Sequence, residues 1–304
     1  MPITIPPALA RNVVEAWPEE GERWLVGLPE RLDEIARDWQ LTLGEPYELS
    51  FHWATPVTRV DGSAAVLKLG VTSGHLDDQA QALRAYGGQG AVRLLAYDAA
   101  RGALLLERAD PGTPVAELVP DDDEAATAAL IAVGRRLHRP PPSGCTLPDL
   151  QQQSESFRAH LRRFPGDDPL PRYLVERAGA LFDELCASAS DHVLLHGDLH
   201  HDNVLRAQRE PWLAIDPFGV VGDPGFDCGA MLYDPQPERR EDELLALVPA
   251  RIEQLADGFA LPVDRVVAWG FVMAVLSEVW TAEGSGTPGT RALDVATLLY
   301  PRLT

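Results

Sequence analysis

The stretch Val193 to Asp216 reads VLLHGDLHHDNVLRAQREPWLAID. Val193, Leu194 and Leu195 form a short apolar run, the pattern of a buried strand, and His196-Gly197-Asp198 follows where the chain must turn. Asn203 lies five residues beyond Asp198. After a polar spacer, Trp212-Leu213-Ala214-Ile215 forms a second apolar run that ends at Asp216-Pro217. Two carboxylates and a carboxamide therefore cap neighbouring strand-like segments.

Such a set suits phosphoryl transfer from ATP. One carboxylate orients or deprotonates a hydroxyl, while an amide oxygen and a second carboxylate hold magnesium. Asp198 is the expected base, and Asn203 and Asp216 are the expected metal ligands. The bland alternative is an Asx-rich turn in which Asp198 and Asn203 bond local backbone. A second alternative is a transition-metal phosphohydrolase built on His196, His200, His201 and Asp202, whose ligand types fit zinc or manganese. Consecutive histidines point apart on a strand and diverge on a helix, which counts against that reading.

A chain of 304 residues buries a large core and suits one large or two modest domains. Lys plus Arg number 26 against 46 Asp plus Glu, a net charge of −20 that disfavours nucleic acid as a partner and is compatible with a cationic ligand, although a solvated acidic surface accounts for most of it. Cys145, Cys186 and Cys228 are too few and scattered for a disulfide framework or a CxxC metal site. The opening MPITIPPALARNVVEAW has no basic segment leading into a long apolar run, and no later stretch reads as an uninterrupted membrane span. The expectation is a cytoplasmic protein with no membrane partner.

Around Pro7 to Trp39, the residues Trp24, Leu25, Leu28, Leu32, Ile35 and Trp39 fall near helical spacing. ELSFHWATPVTRV, the turn Asp61-Gly62 and AAVLKLG then predict a β-hairpin. Lys68 sits within its apolar second strand, where an ammonium is costly unless it meets an anion such as a nucleotide phosphate. The alternative is an edge lysine whose head reaches solvent. Leu76 to Tyr86 predicts a helix ended by Gly87-Gly88, and Ala91–Tyr97 and Ala103–Glu107 predict strands.

Asp121 to Glu124 predicts a solvated, acid-capped helix start, with Arg135, Arg136 and Arg139 at the far end. In VVGDPGFDCGAMLYDP, Asp223 and Asp227 are candidates for bracing the catalytic loop or facing a substrate, with simple capping the other reading for Asp223. Helices are expected over Arg172–Ala187, Glu238–Phe259, Val263–Glu283 and Thr290–Tyr300. Near the end of the third, Glu278, Trp280 and Glu283 suit a polyhydroxylated cation; the bland reading is a core Trp and surface acids.

The spacing H-G-D-x-x-x-x-N followed by I-D-P resembles the catalytic and metal-binding loops of aminoglycoside phosphotransferases, which share the protein-kinase architecture. With LSFHWATPV, AAVLKLG, GAVRLL, LLLER, WLAIDPFGVVGDPGFD and VLSEVW, the resemblance narrows to the aminoglycoside/hydroxyurea antibiotic-resistance kinase family, streptomycin 6-phosphotransferases in particular, over about Leu49 to Glu283. It implies an α+β, two-lobed protein-kinase-like fold. Residues 1–108 would form a nucleotide-binding lobe with a small antiparallel sheet, and residues 109–304 a mostly helical catalytic and substrate-binding lobe.

By the same resemblance Lys68 fills the place of the kinase strand lysine, Asp216 that of the DFG aspartate, and ATP binds between the lobes. The Glu107 carbonyl and Ala109 amide would meet adenine, and Ser50 with backbone amides would cover the phosphates, because the hairpin tip has no glycine-rich loop. The acidic partner of Lys68 is not fixed: Asp77 and Asp78 open the helix, with Gln79 and Gln81 beyond. The implied activity is an ATP- and magnesium-dependent small-molecule kinase acting on a hydroxyl of an aminoglycoside, related sugar or hydroxyurea-like compound. A nonenzymatic nucleotide or antibiotic binder is the remaining alternative.

Overall fold

In the computed structural model, which describes residues 4–235, 242–284 and 287–303, the chain forms two compact units. The first comprises Met1–Gly88 and Val92–Ala109; the second comprises Gln89–Ala91 and Asp110–Thr304.

The first unit opens with helices α1 (Pro7–Ala16) and α2 (Pro18–Asp38), each started by a proline whose missing N–H is no loss there. Strands β1 (Leu41–Leu43), β2 (Trp53–Arg59) and β3 (Ala64–Leu69), helix α3 (Leu76–Tyr86), and strands β4 (Leu94–Asp98) and β5 (Ala103–Glu107) follow. The five strands make one antiparallel sheet in the order β1-β2-β3-β5-β4. Trp24, Leu28, Leu32 and Ile35 recur at the three- and four-residue spacing seen in the sequence, and all are buried in one core with Trp53, Val57, Leu67 and Leu69 of the sheet. The hairpin turns where expected, with the Asp61 carboxylate accepting the Ser63 N–H at 2.9 Å. Residues 48–52 lie ahead of β2 rather than in it.

The second unit contains β6 (Pro111–Pro114), α4 (Asp123–Leu137), α5 (Ser154–Arg163), α6 (Arg172–Ala187), strands β7 (Val193–Leu195), β8 (Val204–Ala207), β9 (Trp212–Ala214) and β10 (Val220–Gly222), then α7 (Gly225–Tyr233), α8 (Asp242–Leu245), α9 (Val248–Phe259), α10 (Val263–Glu283) and α11 (Arg291–Leu299). The predicted helix from Glu238 begins outside the described residues. β7 pairs with β10, and β8 lies between β6 and β9. Ala91 bridges to Ala214, which draws the first part of the predicted strand Ala91–Tyr97 into this unit.

Helix α10 is long and apolar enough to cross a membrane by length and composition, whereas no stretch of the sequence was expected to read as an uninterrupted span. Its residues from Val266 to Leu276 are instead buried against α6, α7 and α11, as in a core helix. A side chain on Gly229 would collide with Met273, so only glycine lets α7 lie this close to α10. The acid-rich start of α4 is only partly solvated. Asp122 caps it, while Asp123 pairs with Arg251, which is 1% exposed and also donates to the Met231 and Asp234 carbonyls at 2.8 and 2.5 Å.

Candidate active site

The apolar run 193–195 becomes β7 because its partner β10 covers it, and the chain leaves the sheet at His196. Gly197 takes a φ of 84°, in the left-handed region, and a Cβ there would press on Phe218, so the turn between His196 and Asp198 requires glycine.

Asp198 stands at the outlet of this turn with its side chain 39% exposed. Its N–H donates to His196 Nδ1 at 3.3 Å, and the opposite nitrogen of that fully buried ring lies 2.8 Å from the Ile215 carbonyl. With Nδ1 accepting and Nε2 donating, His196 is neutral. Burial, which pushes its pKa down, agrees. One imidazole thus ties the residue before Asp216 to the backbone of Asp198.

Asn203 Nδ2 donates to the Asp198 carbonyl at 2.9 Å and to its carboxylate at 3.2 Å. The amide oxygen Oδ1 is therefore the atom left for a ligand. Asp216 takes a φ of 58°, a conformation that costs a non-glycine residue roughly 1–2 kcal/mol and persists where the surroundings enforce it. An amide oxygen and a carboxylate are hard donors of the kind magnesium takes. The transition-metal alternative fares worse. Both nitrogens of His196 are engaged, His201 is fully buried beside the cations Arg251 and Arg291, and among the described residues no three His, Cys, Asp or Glu side chains form a metal-holding group.

Asp227 braces the turn. Its carboxylate, 2% exposed, accepts the N–H groups of His196 and Gly197 at 2.9 and 2.8 Å and meets His138 Nε2 at 2.9 Å. Burial alone would raise its pKa, but the bond and charge of His138, with the His196 ring and the Gly197 N–H, hold it below the ordinary carboxylate value. Asp223 is equally buried, accepting the Gly225 N–H at 2.7 Å and the guanidinium of Arg265. Of the two roles considered for these acids, the geometry corresponds to bracing and capping, with neither carboxylate turned to a substrate.

The residues near the end of α10 separate as well. Glu278 is completely buried and accepts the Gly289, Thr290 and Leu293 N–H groups and the Thr290 hydroxyl at 2.5–3.2 Å, so it caps α11 and is not a surface acid. Trp280 is 37% exposed, not a core residue. Burial raises the Glu283 pKa. Among the described residues no hydrogen bond or ion pair joins Trp280 or Glu283 to the Asp198 turn.

In the first unit Lys68 lies on β3 opposite Ala54 and Leu104 and is 5% exposed, so it is not an edge lysine. The Ser50 carbonyl accepts Asn12 Nδ2 at 3.2 Å. The Glu107 carboxylate accepts the Arg93 N–H at 2.9 Å, and buried Ala109 ends the unit. Asp77 and Asp78 sit in the first turn of α3; burial raises the Asp78 pKa, with His75 4.0 Å away.

Three participants escaped the sequence reading. His138 and the structural role of His196 carry no local pattern. The third is Asp234, at the end of α7, beside His200.

Residues 46–285 match the model of the family described as aminoglycoside/hydroxyurea antibiotic resistance kinase. The chain is 34% identical to a streptomycin 6-kinase of Streptomyces glaucescens, over 97% of this chain and 94% of that protein. It is also 34% identical to a hydroxyurea phosphotransferase of Kitasatospora aureofaciens, over 99% and 87%. An aminoglycoside-3'-phosphotransferase of type VIII shares the fold, with a TM-score of 0.55 over 81% of this chain and 97% of that one, at 18% identity. Fold, turn and sequence agree: the chain belongs to the aminoglycoside/hydroxyurea antibiotic resistance kinase family.

Proposed function

We propose that this kinase transfers the terminal phosphoryl group of ATP to a hydroxyl of an aminoglycoside of the streptomycin type, with Asp198 as the base. The observation that carries the reading is the fixation of Asp198. Its backbone is held by His196 and Asn203, the turn before it hangs on the buried Asp227, and its carboxylate, which accepts Asn203 Nδ2 on one oxygen, stays partly exposed. Pre-set groups of this kind lower the barrier because they need no reorganisation as the reaction proceeds.

Asp198 accepts the proton of the acceptor hydroxyl as that oxygen bonds to the terminal phosphorus; the bond from phosphorus to the bridging oxygen breaks, and ADP leaves with the electron pair. Asn203 Oδ1 and Asp216 would hold magnesium, which would supply charge neutralisation on the phosphates. Lys68 pairs with phosphate oxygens, Ser50 and nearby amides cover them, and the Glu107 carbonyl and Ala109 N–H take the adenine edge. Residues 1–108 then act as the nucleotide lobe and 109–304 as the catalytic one. Membership of a resistance-kinase family supports work in the cytoplasm, where ATP is available.

The test is a mass-shift assay of the purified chain with ATP and magnesium against streptomycin, other aminoglycosides, amino sugars and hydroxyurea. The expected result is a product heavier by one phosphoryl group, formed in step with ADP. ADP release without a phosphorylated acceptor would mark a hydrolase, and binding without turnover a binder.

A further inference from the structure

Residues 45–52, EPYELSFH, lead into β2 at the end of the sheet that carries Lys68, and they contain no glycine. A glycine-rich loop lays bare amides along a triphosphate, whereas a loop with a Cβ at every position approaches less closely and leaves its side chains to act as donors. This loop is pinned. Leu49 and Trp53 are buried in the core that α1 and α2 share with the sheet, and Asn12 Nδ2 of α1 donates to the Ser50 carbonyl at 3.2 Å. His52 lies between these anchors and is half-buried.

The pleat of the sheet fixes the side on which His52 stands. Trp53, Val57, Ala65, Leu67 and Leu69 belong to the core under α1 and α2, so Lys68, which alternates with Leu67 and Leu69, points to the opposite face. Trp53 pairs with Leu69 and Ala54 with Lys68. The Gly70 N–H, bonded to the Gly102 carbonyl at 3.0 Å, continues the ladder between β3 and β5 by one residue. A side chain on Gly70 would therefore share the face of Lys68. It would run into the His52 ring, whose Cδ2 and Nε2 lie 2.5 and 3.2 Å from the place of such a Cβ. The imidazole thus sits on the Lys68 face, two strand positions or about 7 Å further along β3.

We propose, resting on the kinase reading above, that His52 is a nucleotide-binding residue whose imidazole donates an N–H to a phosphate oxygen of ATP held at Lys68. The direction along β3 selects phosphate over base or sugar. Glu107, at the proposed adenine edge, pairs with Ala65 at the start of β3, while Lys68 and then Gly70 lie towards its other end. A nucleotide laid along this strand reaches His52 last, with its phosphate chain. Ammonium and imidazole then grip separated oxygens of that chain, one chiefly by charge and the other by a directed hydrogen bond. Gly70 makes room for the ring.

The experiment titrates wild type, His52→Leu and His52→Gln with magnesium-ATP and with adenosine, and adds steady-state kinetics with streptomycin as acceptor. His52→Leu should bind ATP about tenfold more weakly, the loss of one hydrogen bond to a charged group, and adenosine as wild type does. The retained adenosine binding shows that the variant is folded. Its KM for ATP should rise in step, while the KM for streptomycin at saturating ATP stays unchanged. His52→Gln, whose amide still offers N–H groups, should recover part of the ATP affinity.

Unchanged ATP affinity in His52→Leu overturns the assignment, and so do equal losses on ATP and adenosine, which would mean that the ring only shapes the loop. The kinase reading fails separately. If wild type binds ATP but phosphorylates no acceptor, transfer is what falls, and the difference between the ATP and adenosine titrations still decides His52. If wild type binds no ATP, both readings fall together.

Discussion

The two ends of α7 handle buried negative charge in opposite ways. At the first turn, Asp227 lies among two backbone N–H groups and His138, and its pKa stays low although no solvent reaches it. At the last, Asp234 has an imidazole at 4.0 Å and no hydrogen bond among the described residues, and burial pushes its pKa up to about 7, with His200 opposing and Asp198 adding to the rise. A carboxylate of the first kind fixes geometry, because both of its oxygens are already committed to donors of the fold. One of the second kind carries a desolvation cost that the facing imidazole of His200 offsets only in part. The same chemical group thus falls on opposite sides of the ordinary carboxylate range, and its hydrogen bonds decide which.

The largest effect expected is at Asp198, the proposed base. Asp198→Asn keeps the size of the side chain but cannot accept the hydroxyl proton. Transfer should fall by about a thousandfold while nucleotide binding persists, since general-base groups typically contribute ~10²–10⁴. Single-turnover rates at saturating magnesium-ATP, with a separate nucleotide-binding titration, measure both. Near wild-type transfer would end the base assignment.

Asp227→Asn tests the scaffold side. It sets an amide N–H against one of the two backbone N–H donors, which meet different carboxylate oxygens, and leaves His138 without its acid, and breaking a buried pair of this kind costs about 4 kcal/mol. Denaturant unfolding should register that loss. A change under about 1 kcal/mol would mean the brace is dispensable and the contrast along α7 is not energetic. Glu278→Gln is the milder version, at about 3 kcal/mol, because one amide oxygen still accepts from the start of α11. Here ATP and acceptor KM should not move, which separates a capping role from the substrate role that the sequence also allowed.

Why the sequence yielded some of this and not the rest follows from the range of the interactions. The hairpin around Asp61-Gly62, the helix closed by Gly87 at a φ of 58°, and the order of groups from His196 to Asp216 are local, each written in residues that neighbour one another. Lys68 was legible because an ammonium in the middle of an apolar strand conflicts with its surroundings. The brace was only half legible. Asp227 is conspicuous after Pro224-Gly225, but its partner His138 lies 89 residues earlier and ends an ordinary helix. Glu278 reads locally as a substrate-facing or surface acid, because the donors that bury it come from a segment 11 to 15 residues later. Asp234 gave no signal at all, since a carboxylate before proline reads as a turn. Only burial distinguishes it.

The smallest effect expected is also the one that separates the two ends of α7 by sign. Asp227 has a folded pKa below its ordinary value of 3.8, so the unfolded chain takes up its proton first as pH falls. The stability it confers is complete above about pH 4 and is lost below that. Asp234 is reversed. Its folded pKa is raised from 3.8 to about 7, so between those values the folded chain keeps a proton that the unfolded chain has released, and stability declines as pH rises through that window. Asp234→Asn removes the ionisation and should match wild type near pH 4, then exceed it increasingly up to pH 8, by on the order of 2 kcal/mol. Asp227→Asn should fall furthest below wild type above pH 4 and converge with it as the medium becomes more acidic. Denaturant midpoints at pH 4, 6 and 8 test both variants together. Parallel curves would mean that the two carboxylates are held alike, and a loss of stability at pH 8 in Asp234→Asn would show that its charge is already satisfied within the fold.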